Sequence, residues 1–133
     1  MVEISNLNVL LKSMKPKLIN TEFVFCTVSE EQFSSLNVNP LFMFKEEEGT
    51  TIVIERKTAD SNSLSYSNVW VLITLTAHSN LTAVGFLAAI TDKLAKAGIS
   101  VNVVSAYYHD HLFVPFDKAE KAMILLKKLS KSK

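Results

Sequence analysis

The segment from Asn68 to Thr76 constrains the fold more than any other part of the sequence. Its residues are mostly β-branched or large and apolar, and they are apolar at both alternating sets of positions. Such a run is typical of an interior strand of a sheet. One set of alternating residues is Val69, Val71, Ile73 and Leu75, and the other is Trp70, Leu72, Thr74 and Thr76.

A helix and two further strands follow this strand. Apolar residues recur at helical spacing from Leu81 to Ala97, and Gly98 stands where a left-handed residue commonly ends a helix. Strand patterns at Val101–Ala106 and His111–Val114 flank a tight connection. The predicted apolar face of the helix consists of Val84, Leu87, Ala88 and Leu94, widened by Phe86 and Ile90.

The second half of the chain ends in another helix. Asp117 can cap its start together with Glu120, and Ala119, Ala122, Met123, Leu126 and Leu129 form its buried face. The order is therefore β-α-β-β-α. A strand–helix–strand unit closes right-handedly, and a hairpin adds an antiparallel neighbour. We predict an α+β, ferredoxin-like fold with a mixed or antiparallel sheet and helices packed on one face.

The first half repeats this order in a reduced form, although the residues themselves do not repeat. After a first helix, its predicted elements are one strand, a short helical turn, two strands and a short helix. This predicts two similar halves, residues 1–66 and 67–133, packed as one compact domain. The predicted elements are the helix Ile4–Met14, the strands Glu22–Val28, Leu41–Lys45 and Thr51–Ile54, and the helix Arg56–Ser63.

Composition excludes several classes of protein. With 48% hydrophobic and 20% charged residues, 3 Gly and 3 Pro, the chain is not of the disordered class. No apolar stretch reaches the length of a membrane span, and a net charge of +1 with Arg56 as the only arginine argues against nucleic-acid binding. Because Cys26 is the only cysteine, no internal disulfide can form, which favours the reducing cytoplasm.

The junction between the Asn68–Thr76 strand and the next helix is one candidate binding site. Ser79 or Asn80 can cap the helix, whose first N–H groups can also receive an anion such as a carboxylate. From the residues alone, capping without ligand binding is the favoured explanation. A phosphate site is not indicated, because no glycine-rich loop is present.

The densest polar cluster is Ser105–His111, in which Asp110 lies between His109 and His111. A metal site needs three or four ligands, so we expect none here. No nucleophile elbow is present, and Cys26 lies in an apolar strand as an inert core thiol. A lone carboxylate suits the binding of an ammonium group better than catalysis.

These segments resemble the ACT-domain family, and in particular small bacterial proteins with two ACT-like units. Ser105–Pro115 carries the most specific similarity, supported by Glu22–Thr27, Thr76–Ser79 and Ala97–Ser100. ACT domains bind amino acids or other small ligands and regulate an enzyme or partner. The resemblance implies that Asp110 pairs with a ligand ammonium, that Ser79, Asn80 and Leu81 hold its carboxylate, and that Ala106 and Tyr107 line the pocket.

The sequence thus predicts a regulatory or sensor protein without catalytic activity, metal or cofactor. Its expected partners are a small molecule, most plausibly an amino acid, a second copy of the chain in a homodimer, and a regulated protein. Two alternatives stay open: an interaction module that uses its sheet edges, with Asp110 as a turn former, and an enzyme based on His109 and His111.

Overall fold

The structure is a computed structural model that describes residues 7–77 and 84–131. It has the predicted α+β fold, in which helices pack on sheet strands. The strands are β1 (Pro16–Val28), β2 (Phe42–Lys45), β3 (Thr50–Glu55), β4 (Trp70–Leu75), β5 (Asn102–Ser105) and β6 (Asp110–Pro115). The helices are α1 (Leu7–Ser13), α2 (Glu30–Ser35), α3 (Arg56–Ser61), α4 (Phe86–Lys96) and α5 (Ala119–Lys131), and a 3-10 helix spans Phe116–Lys118.

The chain forms two compact units, and along the sequence one unit interrupts the other. Residues Met1–Asn20 and Val71–Lys133 make the split unit, and Thr21–Trp70 make the inserted unit. The first residues of β1 therefore belong to the split unit and the remainder to the inserted unit. The predicted division at residue 66 and the packing of the halves as one domain stay predictions.

The inserted unit has the strand order β2-β3-β1 with antiparallel pairing. Phe23 lies opposite Glu55 and Val28 opposite Thr50. Helix α2 begins in a capping box, where Ser29 Oγ accepts from the Gln32 N–H at 3.0 Å and the Gln32 side chain accepts from the Ser29 N–H. The buried core of this unit consists of Val24, Cys26, Val28, Ile52, Ile54 and Ala59.

The split unit has the strand order β4-β6-β5, with β5 and β6 forming an antiparallel hairpin. Helices α1, α4 and α5 contact one another. Residues Phe86, Ile90 and Leu94 form the buried stripe of α4, because residues four apart lie on one face of a helix. The buried core consists of Leu10, Met14, Val71, Ile73, Leu75, Ala77, Phe86, Ile90, Leu94, Ile99, Leu112, Val114, Ala122 and Leu126.

The repeated order of elements is confirmed. Strands β1, β2 and β3 are arranged β1-β3-β2, and β4, β5 and β6 are arranged β4-β6-β5. In both sets the third strand in the chain lies in the middle. Strands β3 and β6 also have the same sequence of buried positions over their first five residues, which explains why these two segments match in apolar character.

Several predicted boundaries are corrected. Val84 and Gly85 precede α4: Val84 is 84% exposed, and Gly85 occupies the N-cap position with φ +86°. This left-handed conformation favours glycine and interrupts the helical pattern. Asp117 lies inside the 3-10 helix rather than at a cap. Strand β1 begins at Pro16 instead of Glu22. The left-handed terminator at Gly98 is confirmed, with φ +74°.

Within residues 7–77 and 84–131, no helix combines the length and the hydropathy that a membrane span requires.

Candidate functional site

The β5–β6 hairpin carries the predicted polar cluster. Ser105 lies opposite Asp110 in the register, and the Ala106 N–H donates to the His109 carbonyl at 3.0 Å. This hydrogen bond closes a tight turn with Tyr107 and Tyr108 at its tip. Both tyrosines are well exposed, and their rings meet edge to face with centroids 5.0 Å apart. The turn thus presents two aromatic side chains to solvent.

Asp110 is the first residue of β6 and is only 6% exposed. Among the described residues it is the only charged residue that is buried, and Thr50 is the only other buried polar residue. Burial removes a carboxylate from water, which is costly unless hydrogen-bond donors or a cation replace the water. The first position of β6 therefore holds a carboxylate whose charge is little screened by water.

His111 is the second residue of β6 and is half-buried. Its Nδ1 lies 3.0 Å from Thr74 Oγ1 of β4, and its ring centroid lies 6.3 Å from that of His109. Burial lowers the pKa of His111, the electrostatic effect of the nearby His109 lowers it further, and Asp110 acts in the opposite direction. The neutral imidazole is therefore favoured in the folded protein.

His111 gives the split unit an expected pH dependence. The folded pKa of His111 lies below its ordinary value of 6.5, so the unfolded chain takes up this proton first as the pH falls. Stability should decrease from about pH 8 to about pH 5, and His111→Gln should make this decrease shallower. Denaturant unfolding of the wild type and of His111→Gln at several pH values measures it. The same slope in His111→Gln as in the wild type would contradict this role.

The structure places the predicted site residues in three situations. Asp110 is buried, whereas Ala106 and Tyr107 are exposed in the turn beside it. Ser79, Asn80 and Leu81 lie outside the described residues, and the site as a whole stays a prediction. The N-cap of α4 as the structure describes it is Gly85.

Thr74 is a polar residue of this region that the sequence analysis did not select. The sequence pattern marks Thr74 only as one of the alternating positions of a strand. The contact with His111 joins residues 37 apart in the chain, and it depends on β4 and β6 being neighbours. The one available signal is a hydroxyl side chain among apolar neighbours in β4.

The histidine and cysteine side chains bear on metal binding and on thiol chemistry. Residues 7–77 and 84–131 contain no group of three His, Cys, Asp or Glu side chains that could hold a metal ion, and His78 lies outside them. Cys26 is buried in the core of the inserted unit, as predicted, and burial raises the pKa of its thiol. A protonated, buried thiol is a poor nucleophile.

Comparison with known proteins gives two family matches. Residues 3–71 match one model of the ACT domain, and residues 66–128 match a second. The solved structure of a Vibrio cholerae protein of unknown function is 44% identical, with a TM-score of 0.85, and the match covers 94% of this chain and 96% of that one. A search of curated proteins found no match.

More distant structures share the fold. A protein from Agrobacterium tumefaciens is 19% identical with a TM-score of 0.68, and the match covers 86% of this chain and 87% of that one. The ligand-free regulatory subunit of aspartate kinase from Thermus thermophilus is 7% identical with a TM-score of 0.63, covering 86% and 96% of the two chains. The two family matches and the β-α-β-β-α order of both sets of strands together show that the chain belongs to the ACT-domain family.

Proposed function

We infer that this protein is a non-catalytic regulatory sensor that binds an amino acid. Membership in the ACT family indicates a regulatory, ligand-binding role, and the amino acid is the finer part of the proposal. The observation that carries it is the burial of Asp110 at the start of β6, beside an exposed turn. A carboxylate in that position can form a charge-assisted hydrogen bond with an ammonium group.

The same proposal assigns roles to the other predicted site residues. Ser79, Asn80 and Leu81 would receive the ligand carboxylate, and Ala106 and Tyr107 would line the pocket. The exposure of Ala106 and Tyr107 supports this, because a ligand can reach both residues from solvent without opening the core. The buried, single Cys26 supports a reducing cytoplasm as the compartment.

Thermal unfolding with a panel of amino acids tests the proposed function. A ligand that binds only the folded protein and is present at about 100 times its Kd adds about 2.7 kcal/mol of stability. At least one amino acid is therefore expected to raise the melting temperature by several degrees. Its N-acetyl derivative lacks the ammonium charge and should raise it much less. An unchanged melting temperature across the whole panel would contradict the proposal.

An exposed edge strand of the inserted unit supports the predicted homodimer. Strand β2 is the edge strand in the order β2-β3-β1, and it exposes Met43 and Phe44, the latter by 60%. An exposed apolar edge strand is usually paired or covered. We propose that a second copy of the chain covers β2. An interaction module that regulates another protein would use the same edge.

Light scattering measures the dimer directly. The wild type should show twice the 14.8 kDa mass of the chain at high micromolar concentration. Phe44→Lys should shift the protein toward the monomer, because a charge on the edge disfavours pairing. Phe116→Lys is the matched control, since Phe116 is 49% exposed and lies in the 3-10 helix. The proposed interface would be refuted by a monomeric wild type, or by a Phe44→Lys variant that still has the mass of a dimer.

A further inference from the structure

The inserted unit contains a cavity of about 600 Å³. It is lined by the connection between α2 and β2, by residues of β1 and β3, and by Thr58 of α3. Its volume falls within the range of about 300–1,000 Å³ that is typical of small-molecule sites. Asp110 belongs to the split unit, so this cavity is separate from the site proposed above.

Backbone hydrogen bonds hold both ends of the connection that lines the cavity. At one end, the Leu36 N–H donates to the carbonyls of Gln32 and Phe33 at 3.1 and 3.2 Å. At the other end, the Leu41 N–H donates to the Val53 carbonyl at 2.9 Å, which continues the pairing of β2 with β3. The segment between these anchors is short, so fixing its ends limits how far it can collapse into the space.

The lining combines an apolar wall with a few polar groups. Phe23 and Ile54 are 7% and 2% exposed, so part of the wall belongs to the interior of the unit. Leu41 is 52% exposed, which shows that the cavity also reaches solvent. Asn37 and Asn39 supply neutral amide groups. Apolar walls with a small number of polar groups are the usual composition of a ligand site.

Glu55 is the only charged residue in the described lining, so the cavity has negative formal charge. Its carboxylate lies 3.7 Å from Lys57 Nζ, and the two side chains are 47% and 84% exposed. An ion pair this exposed and this long contributes little. A ligand cation can therefore replace Lys57 as the partner of Glu55 at small cost.

We propose that this cavity is a second binding site, which takes a small organic amine with an apolar group. The apolar group lies against the wall of Phe23, Ile54 and Leu41, and the protonated amine pairs with Glu55. Asn37 and Asn39 accept or donate further hydrogen bonds. All of its described lining residues belong to the inserted unit, whereas Asp110 belongs to the split unit.

A matched pair of probes tests the charge preference. 2-Phenylethylamine and 3-phenylpropanoate both carry a benzene ring on a short chain, and they differ in the sign of their charge. In a titration followed by amide NMR, the amine is expected to shift the signals of Val38, Leu41 and Thr58 in a saturable manner. The carboxylate is expected to leave these signals in place.

Two matched variants test the role of Glu55. Glu55→Gln should weaken binding of the amine about three- to tenfold, because the carboxylate is half exposed and water screens the lost charge. Glu47→Gln removes a charge from the exposed β2–β3 turn and should leave the affinity unchanged. Asp110→Asn should also bind the amine normally, which separates this site from the amino-acid site.

Three results would overturn the proposal. The first is the absence of saturable shifts at the lining residues with the amine. The second is equal binding of the amine and the carboxylate. The third is an unchanged affinity in Glu55→Gln. Both probes and all three variants are used with the full chain, and the amide spectrum of each variant shows whether it is folded.

Discussion

Ile73→Ala should lower the free energy of unfolding by about 2–5 kcal/mol. Ile73 lies in β4, is fully buried, and belongs to the core cluster of the split unit. Truncation removes apolar contacts and leaves a cavity that the surrounding side chains fill only in part. Because a domain of this kind is commonly stable by about 5–15 kcal/mol, the loss is a large fraction of the total.

Ile124→Ala is the matched control for this experiment. Ile124 lies in α5 and is 49% exposed, so the same truncation should change stability by less than about 1 kcal/mol. Denaturant unfolding of the wild type and both variants gives the two differences. A loss below about 1 kcal/mol in Ile73→Ala would show that β4 is peripheral to the core.

The order of elements could be predicted because it depends on local patterns. Strands β3 and β6 are short apolar runs, and the last helix has apolar residues at regular helical spacing. Gly98 supplies the positive φ that ends a helix. Each of these signals lies within a few residues of the element that it specifies. The same locality explains why the repeated order was visible although the residues do not repeat.

The missed boundaries depend on interactions that local patterns do not contain. Residues 16–21 mix Pro, Lys, Asn and Thr with apolar side chains, a composition with weak strand propensity. The structure nevertheless includes them in β1, which begins at Pro16. At α4 the apolar spacing continues N-terminal to the helix, and only the left-handed Gly85 marks where the helix begins.

The candidate site likewise combines one feature that is visible in the sequence with others that only the fold reveals. Asp110 was selected from the sequence because a carboxylate between two histidines at a strand end is conspicuous. Its burial, the contact of His111 with Thr74, and the cavity beside Glu55 all depend on strand pairing. The Asn and Glu residues around that cavity are ordinary polar residues in the sequence. Only the fold brings them together with Phe23 and Ile54.

Asp110→Asn should weaken binding of the stabilising amino acid about ten- to a hundredfold. The substitution keeps the size of the side chain and one acceptor oxygen, but it removes the negative charge. A hydrogen bond to a charged group contributes roughly 1.5–3 kcal/mol, which corresponds to this range of affinity. The expected effect is at the upper end, because Asp110 is buried and water screens its charge poorly.

Two matched variants separate binding from folding. Asp117→Asn makes the same substitution at an exposed position of the 3-10 helix and should leave the affinity unchanged. His109→Ala removes the neighbouring side chain and should have a smaller effect than Asp110→Asn, because in this proposal His109 only flanks the turn. Denaturant unfolding of each variant, done without ligand, shows whether the substitution alters the fold itself.

The alternative role of Asp110, as a turn former, predicts different results for affinity and for stability. If Asp110 only shapes the turn, asparagine replaces it well, because both residues form the same side-chain turns. Affinity and stability would then both match the wild type. Calorimetric titration with the amino acid that raises the melting temperature distinguishes the readings. Equal affinity in the wild type and in Asp110→Asn would remove Asp110 from the site, whereas a selective loss of affinity at unchanged stability would assign the ammonium group to this carboxylate.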